Sequence, residues 1–164
     1  MIVIGYQGVG KSSLAQRIPK VVDLESSNFR IDGRKPDDWY KPYGNIALDL
    51  SRQGFIVMTA SHAPVREWIG TQNSTNENVF ICHPAIALKD EWIEKLQRRF
   101  DETGLTKDEY ALQNAQERYE YNIGEMIDDA TRFHWGIIEL ATMDYNLCDL
   151  LANAMHTNIT NLMY

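Results

Sequence analysis

The sequence predicts an α/β protein built on a parallel β-sheet flanked by helices. Three observations carry that reading. Short apolar runs alternate with helix-like segments along the 164 residues. The runs are almost continuously apolar, as strands buried on both faces are. The first run leads directly into a glycine-rich turn that opens a helix, in "VIGYQGVGKSSL" at 3–14.

The elements follow in order. "MIVI" (1–4) is the first strand, and the helix over 10–18 is limited by Pro19. "KVVDLE" (20–25) is the second strand. The stretch 26–42, "SSNFRIDGRKPDDWYKP", is polar, holds two prolines and has no clear period. It reads as an insertion of about 26–43, and loops longer than about 12–15 residues are commonly functional. A helix over 43–53 ends before Gly54, and "FIVMTAS" (55–61) is the third strand. "APVREWI" (63–69) is helical, with Ser61 as its expected N-cap and Pro64 in its first turn. "VFICH" (79–83) is the fourth strand, stopped by Pro84. Helices over 88–102 and 108–130 form a lid-like region broken near Thr103-Gly104. "GIIEL" (136–140) is the fifth strand, and 144–155 the closing helix.

Composition bounds the function. The chain is 44% hydrophobic and 24% charged, which suits one domain spanning 1–164. Its net charge of −7 argues against an extended nucleic-acid surface but allows a local basic pocket. Cys82 and Cys148 are the only cysteines; they suggest a reducing compartment and lack zinc spacing. No apolar run reaches about 18 residues, so no membrane span is expected. No signal-peptide pattern precedes the first strand, and a cytoplasmic location is expected. The oligomeric state is not readable.

Chemistry concentrates in G-x-x-x-x-G-K-S, carried by Gly5, Gly10, Lys11 and Ser12. Glycines let the backbone curl and approach a phosphate closely. Successive N–H groups, including those of Gly8, Val9, Gly10 and Ser13, then point into one anion-binding concavity. Lys11 would reach the β- and γ-phosphates of ATP, and the Ser12 hydroxyl would ligate Mg²⁺. The motif, with a strand before it and a helix after it, resembles P-loop nucleoside triphosphatases. With the short "VVDLESS" and "SHAPVR" segments, the chain resembles the nucleoside monophosphate kinase-like group, including small phage-type nucleotide kinases. That resemblance implies the P-loop NTPase fold, a five-stranded parallel sheet of order 2-3-1-4-5.

Many P-loop proteins carry an acid at the end of the strand beside the loop, but "FIVMTASH" has none. "VVDLESS" supplies Asp23 and Glu25, two apart on one strand face and at its carboxyl end, where open α/β sheets bind ligands. One would hold a Mg²⁺-bound water. The other would orient or deprotonate an acceptor hydroxyl, or bind a sugar hydroxyl. The plainer alternative makes Asp23 a turn cap and Glu25 a loop carboxylate. His62 and Arg66 share a helix face. Arg66 would clamp an acceptor phosphate, whereas His62 is equally readable as a packing residue.

In "LKDEWIEKLQRRFDE" (88–102), Leu88, Trp92, Leu96 and Arg99 fall on one stripe, with Lys95 beside it and Arg98 pointing away. The resemblance implies a lid helix whose cations meet both nucleotides' phosphates. Arg99 ranks first for that role, Lys95 second and Arg98 third. The alternative is a solvated helix of i,i+4 ion pairs. In the 26–45 segment, Phe29, Trp39, Tyr40 and Tyr43 would stack on a base, or simply pin the loop to the core. Arg30, Arg34 and Lys35 would meet phosphate. Tyr119 and Ile123 read as core.

The expected function is transfer of the ATP γ-phosphoryl group to a small acceptor, a (deoxy)nucleoside monophosphate first. A nucleoside or modified DNA base is a variant. A non-catalytic nucleotide-binding module or switch NTPase is the rival, although no N-K-x-D guanine-reading motif is present.

Overall fold

The structure, a computed structural model, describes residues 1–156. Residues 157–164 of the expected single domain lie outside the described residues. The strands are β1 (Ile2–Gly5), β2 (Val21–Asp23), β3 (Ile56–Ala60), β4 (Val79–Pro84) and β5 (Gly136–Leu140). The helices are α1 (Lys11–Ala15), α2 (Tyr40–Arg52), α3 (Ala63–Gln72), α4 (Lys89–Thr103), α5 (Thr106–Phe133) and α6 (Leu147–Ala154).

All strand pairs are parallel, in the order β2-β3-β1-β4-β5. β1 is central, with Ile4 beside Thr59 on one side and Ile81 on the other. Every residue of β1 is buried, which is why its sequence is continuously apolar. α2 packs on α3, β3 and β1; α4 packs on α5; α6 lies against β5. This arrangement sets the carboxyl ends of β1, β2 and β3 around one cleft. Among the described residues, no helix is long and apolar enough to cross a membrane.

Several boundaries differ from the expected ones, each for a local reason. α1 is shorter than 10–18, because turn bonds at Arg17 and Ile18 succeed it before Pro19. α2 begins at Tyr40, so Pro42 lies in its first turn, where its missing N–H costs nothing. Pro84 ends β4 from within, paired in register with Leu140, and the next N–H, of Ala85, bonds the Leu140 carbonyl. His62, not Ser61, holds the cap position of α3. The 26–42 stretch is ordered by a 3-10 turn (Ser26–Phe29) and a bridge between Ile31 and Arg34. Asp32 and Gly33 make that tight turn with φ of 49° and 79°.

Candidate functional site

The loop between β1 and α1 is shaped by its glycines. Gly8 and Gly10 adopt φ of 85° and 101°, in the left-handed region that favours glycine. Its carbonyls are taken up by side-chain donors. The Trp92 indole N–H donates to Gln7 O at 2.9 Å, and the Tyr145 hydroxyl donates to Val9 O at 3.0 Å. Lys11 Nζ donates to Gly5 O at 3.2 Å and Tyr6 O at 3.4 Å. The N–H groups of Gly8, Gly10, Lys11, Ser12 and Ser13 have no protein partner among the described residues. Unpartnered N–H groups converging on one loop make an anion-binding concavity. Val9 departs from its expected role: its N–H bonds Tyr6 O and its side chain is core. Burial pushes the Lys11 ammonium below the ordinary lysine range, against the pull of the Asp23 carboxylate.

The expected metal-binding pair is brought together. Ser12 Oγ donates to Asp23 Oδ2 at 2.6 Å, from the start of α1 to the end of β2. Two hard oxygens at this spacing suit Mg²⁺, which binds few protein ligands and keeps waters and substrate phosphates. Among the described residues there is no cluster of three or more metal-binding side chains, so no all-protein cage forms. Glu25 also borders the cleft, where Lys107 of α5 approaches Oε1 at 3.5 Å.

The surrounding cleft has a volume of about 1060 Å³. Nine of the chain's 16 Lys and Arg line it, but only five of its 23 Asp and Glu. An acidic protein has thus gathered a locally cationic surface around the loop.

On α4, Trp92 and Leu96 point into the core, whereas Lys95, Arg98 and Arg99 all border the cleft. Arg98 therefore does not point away. The core face and the cleft face of α4 differ, and i,i+3 and i,i+4 spacing from Lys95 groups both arginines. Arg99 is committed to Asp108: Nε lies 2.8 Å from a carboxylate that is only 3% exposed and also accepts from Thr103 Oγ1. Arg66 is likewise engaged. Its guanidinium is buried and bonds the Asp129 carboxylate and the Ser61 carbonyl, bracing α3 against α5.

The aromatics of the 26–43 segment are structural. Tyr43 is fully buried; its hydroxyl donates to Leu24 O and accepts from Ala60 N–H, joining the ends of β2 and β3. Phe29 and Trp39 pack edge-on against it, and His62 packs on Trp39. Tyr40 packs on Trp68. None of these four aromatics borders the cleft, so a base-stacking role is not what the geometry gives them. Of the segment's cations, Arg30 and Lys35 line the cleft and Arg34 does not. Lys35 donates to Ser26 Oγ at 2.9 Å and lies over the Trp39 ring. Desolvation, then the neighbouring Lys35, Lys11 and Arg66 charges, lower the His62 pKa.

The helix over 108–130 was expected, but no site residue was assigned to it. The cleft face of α5 carries Lys107, Asn114, Arg118 and Asn122, recurring at helical spacing. The backbone leaves helical geometry at Arg118 (φ −139°, ψ 22°). A straight helix would separate residues 114 and 122 by about 12 Å along its axis. The bend brings Asn122 Nδ2 within 2.9 Å of Asn114 Oδ1, and Asn114 in turn bonds Gln7 of the loop. The i,i+4 repetition of polar residues was the available signal, masked by the equally regular apolar face of Tyr119, Ile123 and Met126.

A search of protein-family models finds none matching the chain, and a search of curated proteins finds no significant match.

Proposed function

We propose that the cleft is a phosphotransferase site of the P-loop NTPase kind, which moves the γ-phosphoryl group of ATP to a small phosphate-bearing acceptor, a (deoxy)nucleoside monophosphate in the first instance. The observation that carries this is the Ser12–Asp23 oxygen pair beside the unpartnered loop N–H groups, with the Lys11 ammonium near enough to Asp23 and Glu25 to feel both charges. The cations of the cleft add the acceptor argument. Lys95 and Arg98 follow β4, on one side of β1; Arg30 and Lys35 follow β2, on the other. Neither Arg30 nor Arg98 has a carboxylate partner among the described residues. Two separated cationic groups fit two phosphate-bearing ligands.

The chain's own residues then have distinct tasks. The loop N–H groups and Lys11 hold the donor's β- and γ-phosphates. Ser12 and Asp23 hold Mg²⁺, which when bound neutralises charge on the transferring group. The cleft cations stabilise charge on the equatorial oxygens. A monophosphate acceptor needs no proton removed, so Glu25 binds a sugar hydroxyl; with a hydroxyl acceptor Glu25 is the base. The free, buried thiols of Cys82 and Cys148 fit a reducing, cytoplasmic setting.

One observation favours a second reading. β3 ends in Ala60 and Ser61 with no acid, so a nucleotide-binding module that does not transfer phosphate is the rival. Incubation with Mg·ATP and a panel of nucleosides and nucleoside monophosphates separates the two. Diphosphate formation by the wild-type chain, lost in Lys11→Ala with an unchanged melting temperature, supports the transferase. Tight ATP binding with no transfer to any acceptor supports the module.

A further inference from the structure

We propose that Tyr145 is a positioning residue that holds the Lys95 ammonium and the glycine-rich loop as one unit, presenting Lys95 to the donor's phosphates in register with the loop. The proposal rests on the donor reading above.

Tyr145 lies between β5 and α6, far in sequence from both partners. Its hydroxyl uses both of its hydrogen-bonding capacities. It accepts from Lys95 Nζ at 2.8 Å and donates to Val9 O at 3.0 Å. The ring stacks on Trp92, centroids 6.1 Å apart, and Trp92 in turn donates to Gln7 O. Lys95 Nζ sits over both rings, 4.2 Å from the Trp92 centroid and 5.0 Å from that of Tyr145. The lysine has no carboxylate partner among the described residues, yet lines the cleft. An ammonium held by one hydroxyl and two ring faces keeps two N–H donors free for a phosphate. The same hydroxyl turns the Val9 carbonyl outward, which leaves the neighbouring N–H groups to face the anion.

The charges around Lys95 make this arrangement readable by pH. Arg98 and Arg99 face it from its own helix, the Tyr145 hydroxyl from the β5–α6 connection, and α5 brings Asp108, already engaged by Arg99. Desolvation, then Arg99 and Arg98, lower the Lys95 pKa to about 8. Its charge is therefore nearly complete a unit below that value, half lost at it and nearly gone a unit above. Cys82, by contrast, is pushed up to about 12 by burial. Lys11 and Lys35, both also lowered and both lining the cleft, are the rivals for an alkaline limb. Losing the Tyr145 hydroxyl removes an acceptor from the charged form and moves the limb to lower pH.

Calorimetric titration of Mg·ATP into the full chain from about pH 6.5 to 9.5 tests this, with Tyr145→Phe and Lys95→Arg. Wild-type affinity should be flat to about pH 8, then fall by up to about tenfold per unit. Tyr145→Phe should bind about 2- to 10-fold more weakly near neutrality, with its limb at lower pH. Lys95→Arg should have no limb, since arginine stays charged. A limb retained in Lys95→Arg would assign it to Lys11 or Lys35 and overturn the proposal. So would Tyr145→Phe with wild-type affinity and pH dependence, whatever its melting temperature. Wild-type protein that binds no nucleotide at any pH overturns the donor reading and this inference together. Binding without phosphate transfer removes only the transferase.

Discussion

Asp23→Asn separates a metal-holding carboxylate from a turn cap. Asp23 Oδ2 accepts from Ser12 Oγ at 2.6 Å, and the pair is exposed to solvent. Asparagine keeps the shape and one acceptor oxygen, so the fold loses no more than one exposed hydrogen bond, about 0.5–1.5 kcal/mol. At about 2–4 °C per kcal/mol for a chain of this size, the melting temperature should fall by only a few degrees. The proposed cation site would lose its one carboxylate. Substitutions of this kind cost about 10- to 100-fold in metal affinity or activity, or about 1.4–2.8 kcal/mol. Initial rates of ADP formation against free Mg²⁺, at saturating ATP and acceptor, give the assay. The Mg²⁺ midpoint should rise, or the plateau fall, by that factor. A wild-type midpoint and plateau in a folded Asp23→Asn protein would show that the cation is held elsewhere.

Glu25→Gln should change turnover by less than about threefold with a monophosphate acceptor, and by at least about a hundredfold if the acceptor is a hydroxyl that needs a base; steady-state kinetics with a monophosphate and its parent nucleoside decide. Arg99→Ala leaves the buried Asp108 carboxylate with Thr103 alone and should destabilise the fold by about 1–3 kcal/mol in urea titrations. Arg98→Ala should leave stability within about 0.5 kcal/mol and raise KM for nucleotide; the opposite pattern would reverse the roles assigned to the two arginines. Gly5→Ala would place a methyl 2.9 Å from Val9 Cγ2 and 3.1 Å from Lys11 Cδ, and should weaken ATP binding at least tenfold by displacing Lys11.

The sheet was legible because its strands are buried on both faces and so announce themselves as unbroken apolar runs; "MIVIG" and "FIVMTA" could hardly be surface. The order of the strands was reachable only through the resemblance, and the structure shows the same order. The loop was legible because glycine spacing states a backbone requirement directly. Asp23 was legible from its place at a strand end. Arg98 was misread because the helix was given one meaningful face, that of Trp92 and Leu96, when it has a second turned to the cleft. The aromatics of 26–43 were ambiguous in principle: a ring that stacks on a base and a ring that pins a loop have the same sequence. Asn114, Asn122 and Tyr145, and the cleft position of Arg118, were invisible because their grouping depends on a helix bend and on contacts across more than a hundred residues, such as Asn114 to Gln7.

The most direct test of the phosphotransferase reading follows the γ-phosphorus of ATP by ³¹P NMR in the presence of Mg²⁺ and the nucleoside monophosphate panel. In a phosphotransferase it becomes the β-phosphorus of a nucleoside diphosphate, with ADP formed in equal amount and no inorganic phosphate. Release of that phosphorus only as inorganic phosphate, or its retention in ATP with every acceptor, would contradict the account.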